Sequence, residues 1–336
     1  PMIFVGGGAQ HCSDGVTRLA ETLSAPVIAF RTGHGILSSQ HDLSAGMPVG
    51  HELWRTSDAV IAIGTRLQPQ RMQWGVDDDL AIIHIDIDAE ELTRISTPSV
   101  AIQADAGEAV DALLDALDGH DSRRDDWRKT IIASKADFAK IYAAQLGPQL
   151  TWLEAIRAAL PEDGILVDEL TQMGYVARFA FPVYRPRTFL STGYQGTLGW
   201  GIATAMGAAH ARRDVPVVSI SGDGGALYTI SELATAVRHG IPVNIIVFND
   251  NAFGNVRRFQ IENYNNRPIA SDLTSPDFAK LAESFGAQGL RAETPAGLGQ
   301  RLAEAFKHDG PSLIEVPVGE FPSPWPFVLR DKVRGV

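Results

Sequence analysis

A single cysteine, Cys12, in 336 residues rules out an internal disulfide. That scarcity fits a reducing compartment, with the lone thiol read as a small buried apolar side chain. No run of about 18 apolar residues occurs, and the N-terminus lacks a basic stretch leading into an apolar run and a cleavage site. A cytoplasmic location is therefore expected, with no membrane role. Positive charge is also short: 29 Lys and Arg stand against 40 Asp and Glu, a formal charge of -11. Nucleic acids and anionic membranes are bound through Lys and Arg clusters, so neither is expected as a partner. Short-period repeats and low-complexity tracts are missing too, apart from the Pro-rich and extended "FPSPWPFV" near the C-terminus.

What remains has the composition of a folded enzyme: 45% apolar and 21% charged residues, with 32 Gly and 19 Pro. The length fits two domains. Residues 2–5, 27–30, 59–63 and 81–87 are short continuous apolar runs separated by helical-length segments, the pattern of parallel strands buried on both faces. A charged, mostly helical stretch over 106–145, including "DGHDSRRDDWRK", reads as a connector. From about 150 the alternation resumes with "GILVDEL", "TFLST", "VPVVSIS", "VNIIVFN" and "PSLIEVPV" as strands. The expected fold class is α/β, two doubly wound domains with mostly parallel sheets flanked by helices, spanning 1–145 and 146–336. Because the chain opens directly on the strand-like "PMIFVGGG", without an initiator Met, it reads as a fragment.

Two carboxylates, Asp223 and Asp250, each follow an apolar run in "SISGDGG" and "VFNDNAFG". Between them "TISELATAVRH" places Ile230, Leu233, Ala234 and Val237 on one helical stripe, with Thr229 or Ser231 as cap. A strand-helix-strand unit with parallel strands brings both acids to one rim, where open α/β sheets bind ligands. Gly222, Gly224 and Gly225 permit unusual backbone angles and close approach, which suits a phosphate. Two acids facing a phosphate need a cation between them, and Mg²⁺ is commonly held by one or two carboxylates, phosphate oxygens and water. Taken alone, Gly-Asp-Gly is equally a turn at a strand end.

Gly222-Asp223-Gly224 followed by Asn249-Asp250 resembles the motif of the thiamine diphosphate (ThDP) enzymes, in particular the acetolactate synthase, benzoylformate decarboxylase and pyruvate decarboxylase group. The resemblance implies that Asp223, Asp250 and the backbone carbonyl of Ala252 hold Mg²⁺ on the cofactor diphosphate. It departs from the family pattern in that Asp250 stands where the family has a second Asn, an added negative charge. "STGYQGTLGWGIATAMGAAHA" is similar to the family's aminopyrimidine-receiving segment, which gives Gly196 a carbonyl acceptor role and makes Leu198 the wedge that bends the cofactor. "DELTQMG" resembles a diphosphate-contacting segment, with Thr171 and Gln172 as candidates.

The first domain is similar to the family's central domain. Its "GGGAQH" has His11 where a dinucleotide fingerprint has its third Gly, so FAD is not expected. The pyrimidine-binding domain, with the glutamate that activates the cofactor, has no counterpart here. Glu232 and Glu262 read as exposed carboxylates, and the catalytic residue is expected on that other domain, from the parent chain or another subunit of a homodimer or homotetramer. The resemblance implies a lyase or carboligase acting on a small 2-oxo acid. The alternative is a non-catalytic Mg²⁺-diphosphate or nucleotide-binding module. Gln260, Asn263 and Tyr264, with Trp325 and Phe327, are candidates for the pocket rim. Helix-end position accounts for His239, and no chemistry is assigned to His34, His41 or His51.

Overall fold

The computed structural model describes residues 1–119, 124–193 and 195–335. Residues 120–123 of the expected connector and Tyr194 of the pyrimidine-receiving segment lie outside the described residues. By internal contacts the chain divides into two units. The first contains Pro1–Ala144 with Pro182–Thr188 and the C-terminal stretch from Trp325, and the second contains Gln145–Phe181 and Phe189–Pro324. The helix Asp125–Ala159 is interrupted at Leu146, which has φ −126 and ψ 18, two residues before Pro148. The proline ring disfavours helical geometry in the preceding turn.

Each unit is built on one six-stranded sheet, and every strand pairing is parallel. In the first unit the strands are β1 (Met2–Val5), β2 (Val27–Ala29), β3 (Ser44–Ala45), β4 (Ala59–Ile63), β5 (Ala81–Asp86) and β6 (Val100–Gln103), in the order β3-β2-β1-β4-β5-β6. The expected α/β class is thus the observed one. β3 and β6, unread in the sequence, are a two-residue edge and a mostly exposed edge. Phe4, Trp54 and Trp74 pack edge to face in this unit's core. His51 is buried there too, facing Trp74 and 2.8 Å from the Asp331 carbonyl. Cys12 is half-buried rather than enclosed by apolar groups. Its thiol lies 3.3 Å from the Ala9 carbonyl, and burial, helped by Asp105 and Asp111, pushes its pKa up to about 11. His11 pairs with Asp105 at 3.1 Å.

The second unit contains β7 (Ile165–Val167), β8 (Phe189–Leu190), β9 (Val217–Gly222), β10 (Val243–Asn249), β11 (Gln288–Arg291) and β12 (Ser312–Pro317), in the order β11-β12-β10-β9-β7-β8. The chain runs from β7 out to β8 and then returns to the other side of β7, so the order reverses between β7 and β9. Such a reversal opens a crevice beyond the carboxyl ends of the strands. β10 is buried along its whole length, as a strand covered on both faces requires.

The crossover between β9 and β10 differs from the sequence expectation. Helix begins at once after the strand, over Asp223–Thr229, passes through a 3₁₀ turn at Ile230–Glu232 and resumes over Leu233–Arg238. The early start and the turn shift the phase, so Leu233 and Ala236 are buried while Ala234 faces solvent. Neither Thr229 nor Ser231 caps a helix, and the Thr229 hydroxyl donates instead to the Gly199 carbonyl at 3.0 Å. This phase is testable by urea unfolding. Ala236→Leu overpacks the core and should lower stability by about 1–3 kcal/mol, whereas Ala234→Leu should change it by no more than about 0.5 kcal/mol.

Candidate functional site

Parallel pairing of β9 with β10 sets Ser221 opposite Val247 and Gly222 opposite Phe248. Asp223 and Asp250 therefore leave the sheet on the same edge, from neighbouring strands. Both line a cavity of about 230 Å³ in the second unit, together with Thr171, Gln172, Gly196, Leu198, Gly222, Gly224, Gly225 and Ala252. The structure thus brings the metal and cofactor candidates named from the motifs around one cavity, beyond the ends of β7, β9 and β10.

Electrostatics in this cavity oppose two free carboxylates. The pKa of Asp250 is pushed up to about 6, first by burial and then by the negative charge of Asp223. Partial relief comes from the Gln172 amide, which donates to Asp250 Oδ2 at 3.1 Å, and from the Ala252 N–H, which donates to Oδ1 at 3.2 Å. Asp223 is 1% exposed, and its Oδ2 accepts from the Ser275 hydroxyl at 2.7 Å. Gln172 Oε1 is buried with no hydrogen-bond partner among the described residues.

The glycines act here through space rather than unusual angles, because Gly224 and Gly225 are helical and Gly222 is extended. A Cβ on Gly224 would sit 2.5 Å from the Phe253 ring, and one on Gly225 2.9 Å from the Glu169 carboxylate. A Cβ on Gly254 would come within 2.6 Å of Asp250 Oδ2, so this glycine lets the acid fold over the turn. Left-handed backbone is confined to other positions, Gly196 (φ 62), Gly199 (φ 81) and Asn251 (φ 56). Leu198 is 37% exposed in the cavity wall and not in the core.

Around these residues lies a scaffold that sequence reasoning missed. Asn249, buried at the end of β10, donates to Glu315 on β12 at 2.9 Å and accepts from the Asn251 N–H at 3.2 Å. Residues 251–253 then pair in antiparallel fashion with 271–273, through Phe253 N–H to Ser271 O and Leu273 N–H to Asn251 O, both 2.8 Å. Glu169, one residue past Asp168 at the end of β7, is fully buried and accepts from the Gly199 N–H. Asp168 is buried beside Arg178, whose guanidinium donates to it at 2.7 Å. Two successive acids closing the apolar run "ILV" were the one sequence signal for Glu169; Ser275 and Glu315 offered none.

Other candidates fall elsewhere. Gln260 is bonded to the backbone of Ile269 through both ends of its amide, and Gln260, Asn263 and Tyr264 are not among the cavity's lining residues. Trp325 and Phe327 belong to the first unit, where Phe327 is buried against Tyr142. Glu232 and Glu262 are exposed, as expected. Among the described residues, no three His, Cys, Asp or Glu side chains cluster as a self-sufficient metal site, and no helix is long and apolar enough to cross a membrane.

Comparison with known proteins follows this division. Residues 1–113 match the thiamine pyrophosphate enzyme central domain, and residues 170–316 match the thiamine pyrophosphate enzyme C-terminal TPP binding domain. The chain is 29% identical to the acetolactate synthase isozyme 1 large subunit of Escherichia coli, covering 98% of this chain and 60% of that protein. It is 30% identical to a probable 2-ketoarginine decarboxylase of Pseudomonas aeruginosa, over 94% of this chain and 57% of the relative. An acetolactate synthase of Mycobacterium avium is 31% identical over 98% of this chain and 56% of its own length. The chain thus spans somewhat under two thirds of the length of these relatives. With both of its α/β units matched, this chain belongs to the thiamine pyrophosphate enzyme family.

Proposed function

We propose that this chain carries the diphosphate- and Mg²⁺-binding half of a ThDP-dependent lyase or carboligase acting on a 2-oxo acid. The observation that carries the reading is the convergence of Asp223 and Asp250 on one cavity, with Asp250 pushed up to about 6 by burial and by Asp223. A divalent cation would reverse that repulsion. The cavity fits the group: a glycine-rich floor admits a diphosphate, and the unpartnered Gln172 Oε1 could accept from a metal-bound water. Two carboxylates do not complete the octahedron of Mg²⁺, which leaves positions for the Ala252 carbonyl, diphosphate oxygens and water.

Asp223, Asp250 and Ala252 would hold the metal, and Gly222, Gly224, Gly225, Thr171 and Gln172 would face the diphosphate. Thr171 already accepts from the Gly174 N–H at 2.9 Å, so only its remaining hydrogen-bonding capacity serves the ligand. The Gly196 carbonyl would accept from the aminopyrimidine, and Leu198 would be the wedge that bends the cofactor. Bound ThDP would supply the nucleophilic carbon and the electron sink that the cleavage of a 2-oxo acid requires. No flavin is included in this reading.

Residues 1–145 are read as the central domain with its helical connector, and 146–336 as the ThDP domain. Among the described residues, Asp223 and Asp250 are the two acids that line the cavity, and both are assigned to the metal. The activating glutamate is therefore assigned to a pyrimidine-binding domain of the parent chain or another subunit, in a cytoplasmic homodimer or homotetramer. Exposed apolar side chains in the cavity lining, Leu198 and Val256, favour such a cover. The same shortage of acids favours a second reading, a binding module without catalysis. Supplying the glutamate-bearing domain and assaying CO₂ release from 2-oxo acids separates the two: turnover supports the enzyme, and ThDP retention without turnover supports the module.

Asp223→Ala should abolish Mg²⁺-dependent ThDP retention in calorimetry, and wild-type affinity in that variant would remove the metal role. Asp250→Asn should keep the cofactor bound. The same variant tests the electrostatics. Asp250 titrates near 6 folded and near its ordinary 3.8 unfolded, so its ionisation opposes folding above about pH 6 and the penalty fades as pH falls towards 4. The ligand-free Asp250→Asn protein should melt higher than wild type at pH 8, with the difference shrinking by pH 5. A difference that does not vary with pH would contradict the assignment.

A further inference from the structure

We propose that Glu169 is a positioning residue that locks the Gly196–Gly199 segment, which carries Leu198, against the Gly222–Gly225 turn. Its consequence for cofactor binding rests on the ThDP reading above; the lock itself does not.

Glu169 lies immediately beyond β7, at the centre of the crevice, and is 0% exposed. Its carboxylate accepts from the N–H of Gly199, where the chain turns left-handed (φ 81) before the helix Trp200–Ala211. The Gly201 N–H and the Ser221 hydroxyl face the carboxylate and favour its charged form, but only Gly199 bonds it, and its buried Oε2 has no hydrogen-bond partner among the described residues. One side chain therefore bonds the start of that helix while its carboxylate packs against Gly225 in the turn that follows β9. A glycine at position 199 has no side chain to cap its own helix, so the acceptor comes from a residue 30 positions away.

Three glycines from three separate segments make room for this side chain and its backbone. A Cβ at Gly225 would fall 2.9–3.0 Å from the Glu169 carboxylate atoms, one at Gly201 3.2 Å from its Cβ, and one at Gly174 1.8 Å from its carbonyl oxygen. Gly225 is the last glycine of the Gly-Asp-Gly-Gly turn, so the motif's fourth residue serves the lock as well as the cavity. Glu169 does not line the cavity and is not a catalytic residue. The neighbouring Asp168 is already committed to Arg178, which also donates to Thr192 at 3.1 Å. Burial pushes the pKa of Glu169 up, while Ser221 and the two N–H groups act in the opposite direction.

The test uses the full chain without cofactor, then with ThDP and Mg²⁺. E169A should speed amide hydrogen exchange at Gly199 and Gly201 at least tenfold, leaving the amides of β9 and β10 unchanged, and should weaken ThDP binding in calorimetry at least tenfold. E169Q keeps one acceptor and should fall between E169A and wild type in both measurements. Read by exchange, since Gly225 also lines the cavity, G225A should reproduce E169A by displacing the carboxylate, yet add less than twofold in the E169A background, where its methyl has room. Should E169A fail to fold, E169Q and G225A carry the comparison. The proposal is overturned if exchange stays within twofold of wild type, or if exchange accelerates while affinity does not change, which would make Glu169 a helix cap alone. A full G225A effect in the E169A background would also overturn it. If wild-type protein binds no ThDP, the ThDP reading fails by itself, and the exchange measurements, together with the G225A cycle read by exchange, still decide the lock.

Discussion

Repulsion between two carboxylates organises the second unit. Parallel pairing fixes Gly222 beside Phe248, and whatever follows these residues must emerge together. With acids next on one strand and two residues on along the other, the fold brings like charges to a place where burial weakens their hydration. Asp250 answers by favouring its proton, and the Gln172 amide and the Ala252 N–H take part of the remaining charge. On the metal reading proposed above, a divalent ion would offset the same repulsion more completely.

The acids are held by a turn whose shape is set from several directions. Asn249 is fixed by Glu315 on the neighbouring strand and in turn fixes the left-handed Asn251. The short antiparallel contact with 271–273 closes the other side and delivers Ser275 to Asp223. On the opposite wall Glu169 and the helix Trp200–Ala211 set the segment that bears Leu198. Rigid strands thus place the charges, and buried polar side chains place the loops between them.

Much of this could be read from the sequence wherever a local pattern decided the structure. The long strands β9 and β10 declare themselves as apolar runs, and their acidic followers mark the edge they share. β3 and β11 did not, being short edge strands with few apolar residues. The crossover helix was located but mis-phased, because the 3₁₀ turn at Ile230–Glu232 breaks the 3.6-residue period and buries Ala236 in place of Ala234. The supporting acids and hydroxyl escaped for a different reason. Glu169, Ser275 and Glu315 act on partners 30, 52 and 66 positions away, and no local periodicity encodes such pairings. The glycines of the motif were recognised, but their function is steric accommodation of Phe253 and Glu169, which only tertiary packing reveals.

The hydroxyl of Ser275 occupies a lone pair on one oxygen of Asp223, and both oxygens of Asp250 already accept from the protein. Each oxygen keeps a further lone pair, but these bonds restrain the orientation in which either carboxylate could meet an ion. Single-oxygen ligation suits a small, strictly octahedral cation, whereas a larger ion such as Ca²⁺ fills its seven or eight positions partly through bidentate acids. On the metal reading proposed above, acids whose rotation is restrained in this way would favour the smaller ion.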